Sequence, residues 1–332
     1  MTFKKFVNYY ISIPLIIIIA SVSINYYLNE FGLFGNVQGK EYKVYIDEKT
    51  TKYLFSFNYI PSNFNGILVG PSYSNIMMDT KNLKGYKVYN LSMGGAYFSE
   101  LKFAIDNILT YGNINLFIIC LDPYITKDSG TKSSQINPKE YYSTLGSFFM
   151  LRYYYNKLYS VFFGNKSVYF DSYWGYNNIN YIKSKYTNPT SEINKILKQL
   201  NSNSNEKNQL EIDQESYKEL SNTLNNIRNK GIRIIAYFYP RPKRIAEHNL
   251  FKQNYKKYRK KIDAILDYQY DIIIDFAKDE YDYIRDNDSS YIDSGHLSKD
   301  GAKKILDVLN NSIQSITRRE DRKGKLETNL EL

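Results

Sequence analysis

Short apolar runs alternate with amphipathic stretches through most of the chain. The runs are ILV at 67–69, YKVY at 86–89, LFIICL at 116–121, IRIIAYFY at 232–239 and DIIID at 271–275. Each is short, rich in β-branched or aromatic residues, and bounded by turn or charged residues, as buried parallel strands are. Between them, apolar residues recur at three- and four-residue spacing over 98–109, 217–227, 255–266 and 298–313, which predicts helices. Gly231 closes the second of these, and Ser298 is placed to cap the last. The alternation predicts an α/β domain with a parallel sheet in a three-layer α/β/α sandwich. Ligands of such sheets bind at the carboxyl ends of the strands, where Ser72, Asn90 and Asp122 all fall.

A different pattern opens the chain. FVNYYISIPLIIIIASVSINYYL is long and apolar enough to cross a bilayer, with Lys4 and Lys5 before it and tyrosine pairs near both ends. This predicts a cytoplasmic stub (1–6), a transmembrane anchor (7–28) and an extracytoplasmic remainder. A cleaved signal peptide is the alternative, because Ser21-Val22-Ser23 is a passable cleavage site, and it also puts the body of the protein outside. Residues 29–58 are polar with scattered aromatics and read as a tether plus lead-in structure. The domain itself is expected over 59–316. The charged stretch 317–332 lacks periodicity and reads as a disordered tail.

Between the third and fourth strands lies a helical, aromatic-rich insertion, about 125–215, which holds Trp174, the only tryptophan. Its aromatics either stack on sugar rings beside a cleft, or pack helices and rest near the membrane. NSNSNEK at 201–207 reads as a flexible loop.

Composition narrows the chemistry. The chain has 332 residues, 43% of them hydrophobic, as a globular protein has. Its net charge of +10 suits an anionic polymer or a membrane surface, and the abundance of Asn, Ile, Lys and Tyr ties part of it to codon bias. With no arginine-rich cluster and no nucleic-acid motif, no nucleic-acid partner is expected. The single cysteine, Cys120, lies in an apolar run and reads as a buried strand thiol. One cysteine and two histidines leave no His/Cys metal site, and no cofactor is expected.

Two stretches carry candidate chemistry. GILVGPSYSN places Ser72 just after the first strand, and YIDSGHLSKDG places Asp293 three residues before His296. An aspartate so spaced can fix the tautomer of an imidazole that takes a proton from a serine, which is a weak nucleophile unaided. The other histidine, His248, has no comparable setting and reads as an exposed side chain. Ser74 reads as a helix N-terminal residue.

These blocks resemble the SGNH (GDSL-like) hydrolase superfamily over about residues 64–315. GPSYS is similar to its first block, NLSMGGAYFSEL to its second and DSGHLSKDG to its last. The resemblance implies an SGNH/flavodoxin-like sheet, with Ser72 as nucleophile and His296 and Asp293 completing a triad. It also implies a glycine amide, Gly95 or Gly94, in the oxyanion hole. Two positions depart from the family. Pro71 stands where Asp is frequent, and CLDPY puts Asp122 where the third block has an oxyanion Asn. Either Asn90 or a backbone amide then substitutes, or the protein is a weak or specialised catalyst; the alternative task for Asp122 is to hold the Ser72 loop in place.

An N-terminal anchor plus such a domain is similar to polysaccharide O-acetyltransferase and esterase proteins, and to the membrane-anchored D-alanyl transfer protein of teichoic acid synthesis. The Asp-x-His that alginate-acetylation types carry upstream of the serine is absent. The function implied is a serine esterase or O-acyltransferase acting on a cell-envelope polysaccharide or acylated glycan, with a multi-pass membrane acyltransferase as a candidate partner. The alternative is a catalytically weak or inactive assembly or binding factor of the same shape, for envelope polysaccharide or a membrane acyltransferase partner.

Overall fold

In the computed structural model five strands form one parallel sheet: β1 (Gly66–Val69), β2 (Val88–Asn90), β3 (Leu116–Leu121), β4 (Arg233–Phe238) and β5 (Ile272–Asp275). Their order across the sheet is β2-β1-β3-β4-β5. This is the flavodoxin-like order, in which the topology reverses between β1 and β3 and opens a crevice at their carboxyl ends. The structure describes residues 3–127, 136–163, 170–178, 188–202 and 212–328.

Because successive side chains of a strand point to opposite faces, each strand feeds two cores. Ile67, Val69, Phe117, Ile119, Ile234 and Ala236 face one layer of helices. That layer comprises α2 (Glu48–Phe55), α4 (Phe98–Tyr111), α7 (Gln214–Asn229) and α8 (Asn249–Asp263). Leu68, Ile118, Cys120, Ile235 and Tyr237 face the other side, where Ile305, Leu309 and Ile313 of α9 (Lys299–Thr328) cover them. The three-layer α/β/α sandwich predicted from the pattern is present. The first helix, α1 (Phe3–Leu28), contains a largely exposed apolar stretch, Val7–Leu28, long enough to span a membrane; Asn25 near its end is buried.

Three expectations change. Residues 29–58 are not a tether. Phe31, Leu33, Val37, Val44, Tyr53, Leu54 and Phe55 are buried, and α2 is capped by the Asp47 carboxylate, which accepts from Thr50 N at 2.9 Å. The scattered aromatics of this segment are the inward face of a folded lead-in, which short, irregular spacing hides from a periodicity reading. At the other end, the helix expected to stop near residue 313 runs on to Thr328, where no proline interrupts it; residues 329–332 lie outside those described. The second strand starts at Val88 rather than Tyr86, because its pairing with β1 begins there, opposite Gly66.

The insertion contains α5 (Phe148–Phe163), α6 (Pro189–Ser202) and a two-residue antiparallel ladder, Phe170–Asp171 with Tyr176–Asn177. Trp174 sits in the turn of that ladder and packs edge-on against Phe64 at 5.6 Å, so it buttresses the sheet margin. The loop expected at 201–207 begins inside α6, and its part from 203 onward lies outside the described residues.

Deleting residues 29–58 removes the fully buried Leu54 and Phe55, each worth about 1.5–3 kcal/mol of burial. Such a chain is expected to show no cooperative thermal unfolding by circular dichroism, whereas loss of a mere tether leaves the midpoint unchanged.

Candidate active site

β1 ends at Val69, and the backbone then turns sharply through Gly70 and Pro71 into a single helical turn, α3 (Ser72–Asn75). Only glycine fits at position 70: a Cβ there would lie 2.2 Å from Ser74 Oγ and 2.7 Å from the Cys120 Cβ on β3. Ser74 is fully buried, donates to Pro71 O at 3.1 Å and bonds Ser92 Oγ at 2.9 Å, so it pins the turn. Ser72, two residues earlier, is half-buried and faces the crevice-side loops.

The loop before α9 meets this turn. His296 Nε2 lies 3.0 Å from Ser72 Oγ, and His296 Nδ1 lies 2.7 Å from Asp293 Oδ2. The other carboxylate oxygen, Asp293 Oδ1, accepts from the N–H groups of Gly295 at 2.8 Å and His296 at 2.7 Å. Serine, imidazole and carboxylate are therefore joined in one hydrogen-bonded line, although Ser72 and His296 are 224 residues apart. Burial pushes the Asp293 carboxyl up. The His296 ring and the two backbone N–H groups outweigh it, and hold the group below the usual aspartate range.

Side chains outside the expected set hold the imidazole. The Tyr73 ring lies against His296, centroid to centroid 4.9 Å, and against Tyr239 at the same distance. Tyr239 donates from its hydroxyl to Gly295 O at 2.7 Å. Arg241 Nη1 donates to the Tyr73 hydroxyl at 3.1 Å, and Arg241 Nη2 to Asp122 Oδ2 at 2.5 Å. Burial works to lower the Arg241 guanidinium, but the Asp122 carboxylate more than offsets it and raises the group further. Asp122 thus reaches the Ser72 turn through Arg241 and Tyr73 rather than by touching it. Arg241 follows β4 at its carboxyl end, so the strand-end rule that singled out Asp122 could have found it too.

The second-block glycines stand on the opposite flank. Backbone bonds from Leu91 N to Leu68 O (2.7 Å) and Met93 N to Gly70 O (3.1 Å) tie the loop after β2 to the end of β1. Gly95 has φ +64°, a left-handed conformation that glycine adopts without penalty. Among the described residues, the N–H groups of Ser72, Gly94 and Gly95 donate to no other residue. Asn90 is not placed as an oxyanion donor. It is fully buried, and its Nδ2 already donates to Ser74 O at 2.8 Å and Met78 O at 3.0 Å, while Oδ1 accepts from Ser92 N. It holds the floor of the site instead.

The glycine loop leans on α2. Lys49 Nζ donates to Gly95 O at 3.1 Å and to Glu100 Oε2 at 2.9 Å, and both side chains are buried. The neighbouring Lys52, also fully buried, reaches Glu48, Asn75 and Ser92 O. Burial lowers the Lys52 ammonium, with Glu48 opposing. No sequence signal marks these lysines, because they sit in a polar stretch whose folding the pattern does not reveal.

His248, expected to be exposed, is half-buried ahead of α8, with Nε2 3.0 Å from Asn201 Oδ1, and plays no part in this cluster. Cys120 is buried in β3. Among the described residues no group of His, Cys, Asp and Glu could hold a metal ion. A cavity of about 880 Å³ lies beyond Arg241 and Tyr239, lined also by Phe251, Tyr255 and Arg259, and touches the serine site only through those first two residues.

No protein-family model matches this chain, and no curated protein matches it. Among solved structures, it is similar to a protein described as a candidate platelet activating factor from Streptococcus pneumonia. The match has 10% identity and a TM-score of 0.41, and covers 80% of this chain and 90% of that one. That likeness is too loose to assign a reaction.

Two outcomes follow from the geometry. Lys49→Met leaves Glu100 buried without its cation, so unfolding in urea is expected to lose about 3–5 kcal/mol, and adding Glu100→Leu is expected to return part of that loss. Asp293 favours its ionised form in the fold, so its contribution is present above the ordinary carboxyl value of 3.8 and disappears as pH falls through the lower folded value. The melting-temperature deficit of Asp293→Asn is therefore expected to stay constant down to about pH 4 and to close below it.

Proposed function

We propose that the protein is a serine esterase or O-acyltransferase of the SGNH type, acting outside the cytoplasmic membrane on an acylated cell-envelope polysaccharide. The observation that carries this reading is the hydrogen-bonded line Ser72–His296–Asp293 at the carboxyl end of β1. The amides of Ser72 and Gly95, which donate to no other described residue, add to the support.

In this mechanism His296 Nε2 accepts the Ser72 hydroxyl proton as Oγ attacks an ester carbonyl. Asp293 holds the Nδ1–H and stabilises the imidazolium that results. The tetrahedral oxyanion takes hydrogen bonds from the N–H groups of Ser72 and Gly95. On collapse the C–O bond to the leaving alcohol breaks, and His296 returns the proton to that oxygen. The acyl-enzyme then passes its acyl group to water or to a sugar hydroxyl, which His296 deprotonates in turn.

With Asn90 committed to the floor and Asp122 to Arg241, neither supplies a side-chain donor, and on this reading the oxyanion relies on backbone amides. A missing donor costs about 10²–10³ in rate in other hydrolases, so a slow, specialised catalyst is expected. The same observation favours the second reading, an envelope assembly factor that binds glycan or a membrane acyltransferase through this crevice without turning it over.

The full chain in detergent, assayed on an aryl acetate, separates the two. Ser72→Ala and His296→Ala are each expected to reduce hydrolysis by at least about a thousandfold. A fluorophosphonate probe is expected to label Ser72 and to fail on His296→Ala. Equal activity in all three chains, with no labelling, leaves the binding factor as the reading.

A further inference from the structure

Helix α5, with sequence FFMLRYYYNKLYSVFF, is apolar on both sides. Its inner side is accounted for: Met150 and Tyr153 are buried, Tyr153 donates to Glu30 Oε2 at 2.9 Å, Lys157 pairs with Glu30, and Asn156 donates to Tyr45 O. On the outer side, Phe148, Leu151, Tyr155, Leu158, Tyr159 and Phe162 recur at three- and four-residue intervals, which places them in one stripe. All are exposed, Phe148 at 82% and Phe162 at 75%. A contiguous stripe of six large apolar side chains is not a surface that water-exposed domains normally keep.

Its location identifies what covers it. The turn entering α5 lies against α1: a Cβ at Gly146 would be 3.4 Å from Ser21 Cβ, and Asn25 Nδ2 donates to Leu145 O at 3.2 Å. Further along, the Tyr154 hydroxyl donates to Asn25 Oδ1 at 2.8 Å. Ser21 precedes Leu28, the end of the apolar span, by seven residues. At 1.5 Å per residue, α5 begins about 10 Å inside that end. Helices that lie in the membrane surface are buried about 5–10 Å into the boundary between head groups and acyl chains. Tyr26 and Tyr27, exposed near the same end of α1, are the residue type that marks this level.

We propose that α5 is an interfacial helix, lying in the bilayer surface with its outer stripe in lipid where α1 leaves the membrane. Lipid then covers the stripe as it covers the exposed apolar surface of α1, without any further partner. The insertion is then a membrane-seating element, and the domain rests on the bilayer rather than hanging above it. The proposal rests on α1 spanning the membrane and is independent of the chemistry at Ser72.

The test uses the full chain in lipid nanodiscs. Cys120 is buried, so an introduced cysteine is the one that labels. An environment-sensitive fluorophore is placed at Phe162→Cys, at Tyr155→Cys as an independent second position, at Ile17→Cys within α1, and at Lys195→Cys on α6 as an exposed reference. With quencher-bearing acyl chains, the probes at 162, 155 and 17 are expected to shift to shorter wavelength and lose several-fold in intensity, while the probe at 195 keeps its emission. Probes at 162 and 155 that behave like the one at 195 overturn the proposal. So does an unquenched probe at 17, since α1 is then not in the bilayer. A Phe162→Cys chain that forms disulfide dimers in place of lipid quenching also overturns it, in favour of a second copy as the occupant. Protection that appears only with a co-purified membrane protein does the same, in favour of a protein partner.

Discussion

The loops that flank Ser72 are held by ammonium groups taken out of water. Lys49 bridges Gly95 O and Glu100, and Lys52 bridges Glu48, Asn75 and Ser92 O, both from the same short helix. A buried cation is tolerated only when carboxylates and carbonyls surround it, and those partners are drawn from three separate stretches of chain. The arrangement gives the glycine loop and the serine turn a common foundation. A loop with a left-handed glycine and unpaired amides has little reason of its own to stay in one conformation; here the carbonyl of that glycine is tied to a fixed charge.

A second construction holds the other side. Asp122, Arg241 and Tyr73 form a line that ends on the ring of His296, and Tyr239 fixes the backbone next to it. The aspartate that stands where an oxyanion asparagine was expected therefore has a different task. It anchors a guanidinium whose far side steadies the imidazole. The serine contributes geometry from β1, the imidazole from the loop before α9, and the parallel sheet sets both at one edge.

The fold was readable because its signals are short-range. β3 spans 116–121 as the apolar run alone delimits it, and α4 begins at Phe98 where the three- and four-residue spacing begins. Ser72, Asp293 and His296 could be singled out because a glycine-bounded serine and an Asp-x-x-His are local patterns, and the structure brings the three together. Arg241, just past the carboxyl end of β4, could have been found by position, whereas Lys49, Lys52 and Tyr73 were not legible. Their surroundings are assembled from distant segments, and an exposed lysine and a buried one look alike in a polar stretch. Asn90 was misjudged for the same reason: its position at a strand end is a sequence property, but the prior engagement of its amide is not.

The folded lead-in at residues 31–57 also alters how far the domain can travel. Thirty flexible residues would let it roam a radius of about 30 Å from its point of attachment. Instead Asn25, Glu30 and Phe31 are already engaged with the body of the protein, and no slack chain separates the helix from the domain. The crevice then operates at a fixed altitude, more like a turnstile than a fishing line. Whatever the crevice accepts has to come to it at that level, so that access depends on where a substrate runs as much as on the affinity of the crevice.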